Sequence, residues 1–105
     1  MIKLKLFQSE WEALYNFPIQ YFLLLKKNTD VVNRTRMQKA FFFELPKLEK
    51  KCFLAKNKGG AKQVNFEYFE AFAFLELLKQ YPTNVNDVWL QTIIQMSINF
   101  LDNHL

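Results

Sequence analysis

The chain has 105 residues, with two glycines, three prolines, one cysteine and a formal net charge of +4. This length fits one domain covering residues 1–105, and a single cysteine excludes an intrachain disulfide. Half of the residues are hydrophobic and 17% are aromatic, which is enough apolar surface for a packed core. Because turn residues are scarce, helices are favoured over an all-β fold.

The chain begins with a predicted strand and a helix. Residues 2–6 alternate between apolar side chains and lysines, a pattern typical of a half-buried strand. The segment SEWE at 9–12 has the form of a capping box, in which Ser9 caps the helix and Glu12 reaches back to the Ser9 amide. We therefore predict a first helix that begins there and runs to about Lys27.

A second helix is predicted after a break at residues 28–30, with Asn28 or Thr29 as its cap. Its apolar stripe follows steps of three and four residues, as a helix requires: Met37, Phe41, Leu45, Leu48, Cys52 and Ala55. Both helices contain a proline, which lacks a backbone donor. Pro18 should kink the first helix, and Pro46 should either kink or break the second.

The second half of the chain follows the only clear loop, residues 56–63. Residues 63–66 form a possible second short strand, and a third helix is predicted from about Phe66 to Gln80. Asn84 or Asn86 is the expected cap of a fourth helix. The buried face of that helix is predicted to be Val85, Val88, Trp89, Ile93, Met96 and Phe100, widened by Leu90, Ile94 and Leu101.

These elements predict a mainly α fold, an up-down-up-down four-helix bundle with short strands near 2–6 and 63–66 capping one end. Residues 11–14 and 69–72 also share the order aromatic, Glu, Ala, apolar, and each follows a strand-like segment. If this echo is a true repeat, the chain contains two strand–helix–helix units. Its two strands would then pair across a pseudo-twofold axis.

Residues that carry catalysis are few. His104 is the only histidine, so no Ser-His-Asp, Cys-His or histidine-based metal site can form within one chain. Glu67 and Glu70 could meet on one helix face, but two acids at a helix N-terminus are explained by the helix dipole. We therefore predict that the protein is not an enzyme and has no cofactor or metal ion.

Cys52 has two interpretations. Lys50, Lys51 and Lys56 are close in sequence, and positive charge lowers the pKa of a thiol and makes it reactive. Alternatively, Cys52 is a small hydrophobe buried on the apolar stripe of the second helix. The stripe favours the buried interpretation.

A cytoplasmic location without a membrane partner is expected. The longest apolar stretch, residues 17–25, is much shorter than a membrane span of about 20 residues. Lys3 and Lys5 interrupt any apolar region of a signal peptide.

Three consecutive phenylalanines lie in the second helix. Together they cover about 300° of a helix, so they cannot all face one core. Phe41 lies on the apolar stripe, and Phe42 or Phe43 must face another helix, a partner chain or water. An exposed apolar patch usually marks an interface, whereas a central, sandwiched helix would bury it. We predict a non-enzymatic interaction protein that forms a homo-oligomer through Phe42 and Phe43.

The charge is distributed unevenly: residues 1–62 carry a net charge of +8 and residues 63–105 a net charge of −4. The basic block at 26–62 could solvate its own helices, meet the acidic half of another copy, or bind nucleic acid. The candidates for nucleic-acid contact are Arg34, Arg36, Lys39, Lys47, Lys50, Lys51, Lys56, Lys58 and Lys62. A further alternative is an apolar cavity among the phenylalanines that binds a small ligand.

Overall fold

Helices dominate the fold in a computed structural model, which describes residues 1–30, 32, 34–82 and 86–105. In chain order the described elements are β1 (Ile2–Phe7), α1 (Gln8–Leu14), a π-helical turn (Tyr15–Ile19), α2 (Gln20–Asn28), α3 (Arg36–Lys56), β2 (Ala61–Phe66), α4 (Tyr68–Gln80) and α5 (Val88–His104). The backbone stays helical at both ends of the π turn, so α1 and α2 form one rod. The predicted fold class, a helical bundle with two short strands, is confirmed.

The two strands pair antiparallel, and we call this pair the ribbon. Ile2 lies opposite Phe66, and Phe7 lies opposite Ala61. One face of the ribbon packs into the core through Leu4, Leu6, Val64 and Phe66, while the alternate side chains are exposed. The predicted strands therefore exist, and each is slightly longer than the sequence indicated.

The chain consists of two strand–helix–helix units. Each strand leads into a helix through the same device, a glutamate that accepts a hydrogen bond from the amide at the strand end. Glu10 Oε1 accepts from the Phe7 amide at 2.8 Å, and Glu70 Oε1 accepts from the Glu67 amide at 2.7 Å. Aligning Glu10 with Glu70 moves the repeat by two residues from the sequence pattern, which aligns Glu12 with Glu70.

The first predicted cap is wrong. Helix α1 begins at Gln8, so Ser9 lies inside the first turn and Glu10, rather than Glu12, binds the free amide. The reason is the ribbon: pairing with β2 keeps the chain extended through Phe7, and the helix starts directly after it.

The caps predicted for the later helices are also corrected. Helix α3 begins at Arg36, where Thr35 Oγ1 accepts from the Gln38 amide at 3.1 Å and Gln38 Oε1 accepts from the Thr35 amide at 3.0 Å. This reciprocal capping box replaces the expected cap at Asn28 or Thr29. Helix α5 is capped by Asp87, whose Oδ1 accepts from the Leu90 amide at 3.0 Å, and not by Asn86. The other candidate cap, Asn84, and its neighbour Val85 lie outside the described residues.

The two helix prolines behave differently. Pro18 is buried within the π turn, where the wider helical turn accommodates the missing donor. Pro46 is exposed, and α3 continues through it from Arg36 to Lys56. The sequence left open whether the second helix breaks at Pro46, and it does not.

The core lies between the ribbon and the helices α1, α3, α4 and α5. Trp11, on α1, is fully buried, and its indole Nε1 donates to the Lys62 carbonyl on β2 at 2.8 Å. The backbone amide of Gln8 donates to the carbonyl of Gly60 at 2.9 Å. Gly60 has a φ of +76°, so this turn needs a residue without a Cβ.

Several residues predicted to be buried are exposed. On α5 these are Val88, Trp89 and Met96, because the buried face is centred on Leu90, Ile94 and Leu101, which the prediction placed at its margin, together with Ser97. On α3, Met37 is half exposed because it lies in the first turn, while Phe42 enters the core instead.

A partly buried ion pair connects α3 to the second unit, with Lys51 about one third exposed and Glu70 buried. Glu70 is 4% exposed, and its Oε1 lies 2.7 Å from Lys51 Nζ. Lys51 Nζ also donates to the Asn65 carbonyl at 2.7 Å. One lysine therefore connects α3, β2 and the start of α4.

Replacing this lysine should destabilise the fold. Lys51→Met leaves the buried Glu70 carboxylate without its cation, so we expect the free energy of unfolding to fall by about 2–3 kcal/mol. Urea titration followed by circular dichroism measures the loss. The control is Lys50→Met, the neighbouring lysine on α3, which is exposed; losing it should cost less than about 0.5 kcal/mol. Equal effects of the two changes would contradict the account.

Candidate nucleic-acid interface

The side of α3 that points away from the core carries a basic stripe. Its exposed residues follow steps of three and four, and we call them the outer face of α3: Arg36, Lys39, Phe43, Lys47, Lys50 and Leu54. Four of the six are cations, and α3 is about 30 Å long at 1.5 Å per residue. The outer face is therefore a long, positively charged surface with an exposed aromatic ring between its cations.

The three consecutive phenylalanines separate into core and surface. Phe41 and Phe42 are 7% and 2% exposed, whereas Phe43 is 73% exposed. Phe42 is covered within the chain, and the Arg34 guanidinium lies 5.4 Å from its ring centroid. Of the two interface candidates from the sequence, Phe42 and Phe43, only Phe43 is exposed to solvent.

Three of the predicted nucleic-acid contacts hold the fold together instead. Arg34 donates to the carbonyls of Lys26 at 2.5 Å and Thr29 at 3.3 Å, at the C-terminal end of α2. Lys51 forms the partly buried pair with Glu70. These contacts join residues from different elements, so the linear pattern of charge gave no sign of them.

Lys56 is the third. Its Nζ lies 5.0 Å from the Tyr15 ring centroid and 5.2 Å from that of Phe53. The two rings are themselves in contact, with centroids 5.6 Å apart. Lys56 therefore stabilises the packing of α3 against the π turn through cation–π contacts.

The remaining candidates continue from α3 towards the ribbon. A surface groove of about 260 Å³ lies between the end of α3 and β2, and we call it the α3–β2 groove. It is lined by Lys51, Leu54, Ala55, Lys58, Lys62, Gln63, Val64 and Asn65. Lys58 and Lys62 thus extend the positive surface of the outer face to the edge of β2.

A second surface groove separates α1 from α5. It is lined by Ser9, Glu12, Ala13, Asn16, Phe17 and Trp89, and its two aromatic side chains are 46% and 55% exposed. Unlike the outer face of α3, this groove carries a carboxylate and no cation. No buried phenylalanine lines either groove. The ligand cavity among the phenylalanines therefore stays a prediction.

The titratable residues show no catalytic arrangement within the described part of the chain. His104 Nδ1 lies 2.7 Å from the Phe100 carbonyl, and its ring stacks on that of Phe100. The Glu70 carboxylate accepts a hydrogen bond from the Glu67 amide at the start of α4 and forms an ion pair with Lys51. Among the described residues, no group of three or more His, Cys, Asp or Glu side chains could hold a metal ion. None of the helices described combines the length and apolar character of a membrane span.

Comparisons with protein-family models, curated proteins and solved structures give no match, so function has to be inferred from the residues themselves.

Cys52 lies in the core, as the apolar stripe indicated. It is 0% exposed, and burial raises the pKa of its thiol from 9.0 to about 12. The lysines near it in sequence do not lower this pKa, because desolvation dominates. Cys52 therefore belongs to the packing of α3 rather than to a reactive site.

Cys52 should be unreactive in the native protein. We expect Ellman's reagent to label it in urea and not in native buffer, because only unfolding exposes the sulfur. Since the unfolded thiol ionises near pH 9 and the folded thiol near pH 12, stability should fall as the pH rises through this window. Cys52→Ala should remove this component of the fall. Rapid labelling of the native protein at pH 8 would contradict the buried assignment.

Proposed function

We propose that the protein is a non-enzymatic module that binds nucleic acid through the outer face of α3. The observation that carries this proposal is the exposed row of Arg36, Lys39, Lys47 and Lys50 on a single helix. Within the described residues, only Lys47 of this set makes an ion pair, with Glu44 at 3.5 Å, and its own side chain is 59% exposed.

The dimensions of the outer face suit a nucleic-acid backbone. From Arg36 to Lys50 the helix axis advances about 21 Å. One strand of duplex DNA carries a phosphate about every 3.4 Å along its axis, so the face spans about six phosphates. Binding would release condensed counterions and so depend strongly on salt.

Phe43 favours a polyanion over a symmetric contact between two copies. It is 73% exposed and lies between Lys39 and Lys47 on the helix surface. Two copies that met symmetrically through this face would bring like charges together, which is unfavourable. A nucleic acid instead supplies phosphates for the lysines and a base or sugar for the ring.

The salt dependence of binding tests the proposal. The probes are fluorescein-labelled duplex and single-stranded DNA of about 20 nucleotides, followed by anisotropy from about 50 to 200 mM salt. We expect Lys39→Gln and Lys50→Gln each to reduce the slope of log K against log salt by about one, since each removes a phosphate contact.

Lys27→Gln is the matched control, because it removes the same charge from the exposed surface of α2. It should leave the slope nearly unchanged. Absence of binding at 50 mM salt, or the same slope change in all three variants, would refute binding through the outer face.

A second candidate function is self-association in a head-to-tail manner. The groove between α1 and α5 offers Glu12 beside Phe17 and Trp89, which complements a phenylalanine surrounded by lysines. Phe43 of one copy would occupy this groove in the next copy, a heterologous contact.

Self-association is tested by light scattering at high protein concentration. A mass above 12.6 kDa is expected, and either Phe43→Ser or Trp89→Ser should return it to the monomer value because each removes one side of the contact. Phe69→Ser is the control, since Phe69 is equally exposed but lies on α4. A strict monomer would exclude this candidate and leave nucleic-acid binding intact.

A further inference from the structure

The solvent face of the ribbon carries four polar side chains between Phe7 and Ala61 at one end and the start of the chain at the other. We call this set of exposed residues the ribbon face: Lys3, Lys5, Phe7, Ala61, Gln63 and Asn65. We infer that the ribbon face enters the major groove of duplex DNA and reads base edges there. This inference rests on the proposed nucleic-acid binding and assigns the part of the surface that distinguishes sequences.

The shape of the ribbon fits this role. Two paired strands lie about 4.8 Å apart, and a major groove about 12 Å wide admits a two-stranded ribbon. Six residues per strand give a length of about 20 Å, or about six base pairs at 3.4 Å each. Lys3 lies opposite Asn65 and Lys5 lies opposite Gln63, so four polar side chains form a compact patch.

These side-chain types match the chemistry of base edges. Lysine donates to guanine O6 and N7, while Asn and Gln pair with adenine N6 and N7. Gln63 Nε2 donates to Asn65 Oδ1 at 3.2 Å, so the two amides lie side by side. Lys and Asn are disfavoured in strands, and residues 2–7 and 61–66 contain three lysines and no carboxylate. Strand formation alone does not account for this choice.

The ribbon face is continuous with the proposed phosphate-binding surface. The α3–β2 groove brings Lys58 from the loop beside Gln63 and Asn65 on the strand. Lys51 Nζ donates to the Asn65 carbonyl, and this hydrogen bond fixes β2 against α3. Phosphate contacts from α3 would then set the position of the protein on the duplex while the ribbon contacts the bases.

The two halves of the ribbon face differ. Because Glu10 and Glu70 are equivalent, Lys3 occupies the position of Gln63 and Lys5 that of Asn65. The pseudo-twofold axis therefore relates lysines to amides. Because both lysines lie on β1 and both amides on β2, the preferred site should be non-palindromic, with guanines contacted on one DNA strand and adenines on the other.

Selection from a duplex library with a randomised core tests the inference. We expect the wild-type protein to enrich a non-palindromic core of about four to six base pairs and to bind it about tenfold or more tightly than a scrambled duplex. The double variant Gln63→Thr, Asn65→Thr should lose this preference. Its affinity for the scrambled duplex and its salt slope should stay unchanged, because its charge is unchanged and threonine suits a strand.

The matched control is Gln95→Ala with Asn99→Ala, an exposed Gln–Asn pair on α5 with the same side-chain contact at 2.9 Å. It should keep the full preference, and circular dichroism verifies that each variant is folded. No enriched core, an undiminished preference in the ribbon variant, or tighter binding of single strands than of duplex would overturn the inference. In each of these cases, altered salt slopes in the Lys39 and Lys50 variants would still support binding through α3.

Discussion

The antiparallel pairing of β1 with β2 joins residues about sixty positions apart and determines where the other elements lie. Further hydrogen bonds connect the two units beside the strand pair. The Gln8 backbone amide donates to the Gly60 carbonyl, the Trp11 indole donates to the Lys62 carbonyl, and Lys51 Nζ donates to the Asn65 carbonyl and the Glu70 carboxylate. Closing so long a loop costs entropy, but this cost grows only slowly with length. Burial of Trp11 against Phe66 on the inner face of the ribbon helps to offset this entropy cost.

The same pairing determines which surfaces are available for function. Because the inner side chains of the ribbon are buried in the core, its outer side chains, among them Lys3, Lys5, Gln63 and Asn65, are exposed to solvent. Lys51 holds β2 against the C-terminal part of α3, so the outer face of that helix and the ribbon face meet at the α3–β2 groove. The acidic groove between α1 and α5 is built by a different pair of helices. The positive and negative surfaces are thus formed by different elements of one small fold.

The sequence predicts those features that depend on local pattern. Alternation of lysine and apolar residues revealed β1, and helical spacing placed Cys52 in the core. Features set by distant partners were missed. Ser9 lost its capping role because strand pairing extends to Phe7, and Arg34 was assigned to the surface although it binds the end of α2 and covers Phe42. The ribbon face could have been found from the alternation at residues 2–7 and 61–66, had the exposed side of each strand been considered as well as the buried side.

The most direct test of the account is a nuclear magnetic resonance titration of the isotope-labelled 105-residue chain with duplex DNA. The account predicts that amide shifts change along β1 and β2 and along the turns of α3 that carry Lys39, Phe43 and Lys50. Amides of the α1–α5 groove, including Trp89, should be unaffected. Changes confined to that groove, or spread evenly over the surface, would contradict the assignment of the ribbon and α3 as the binding surface.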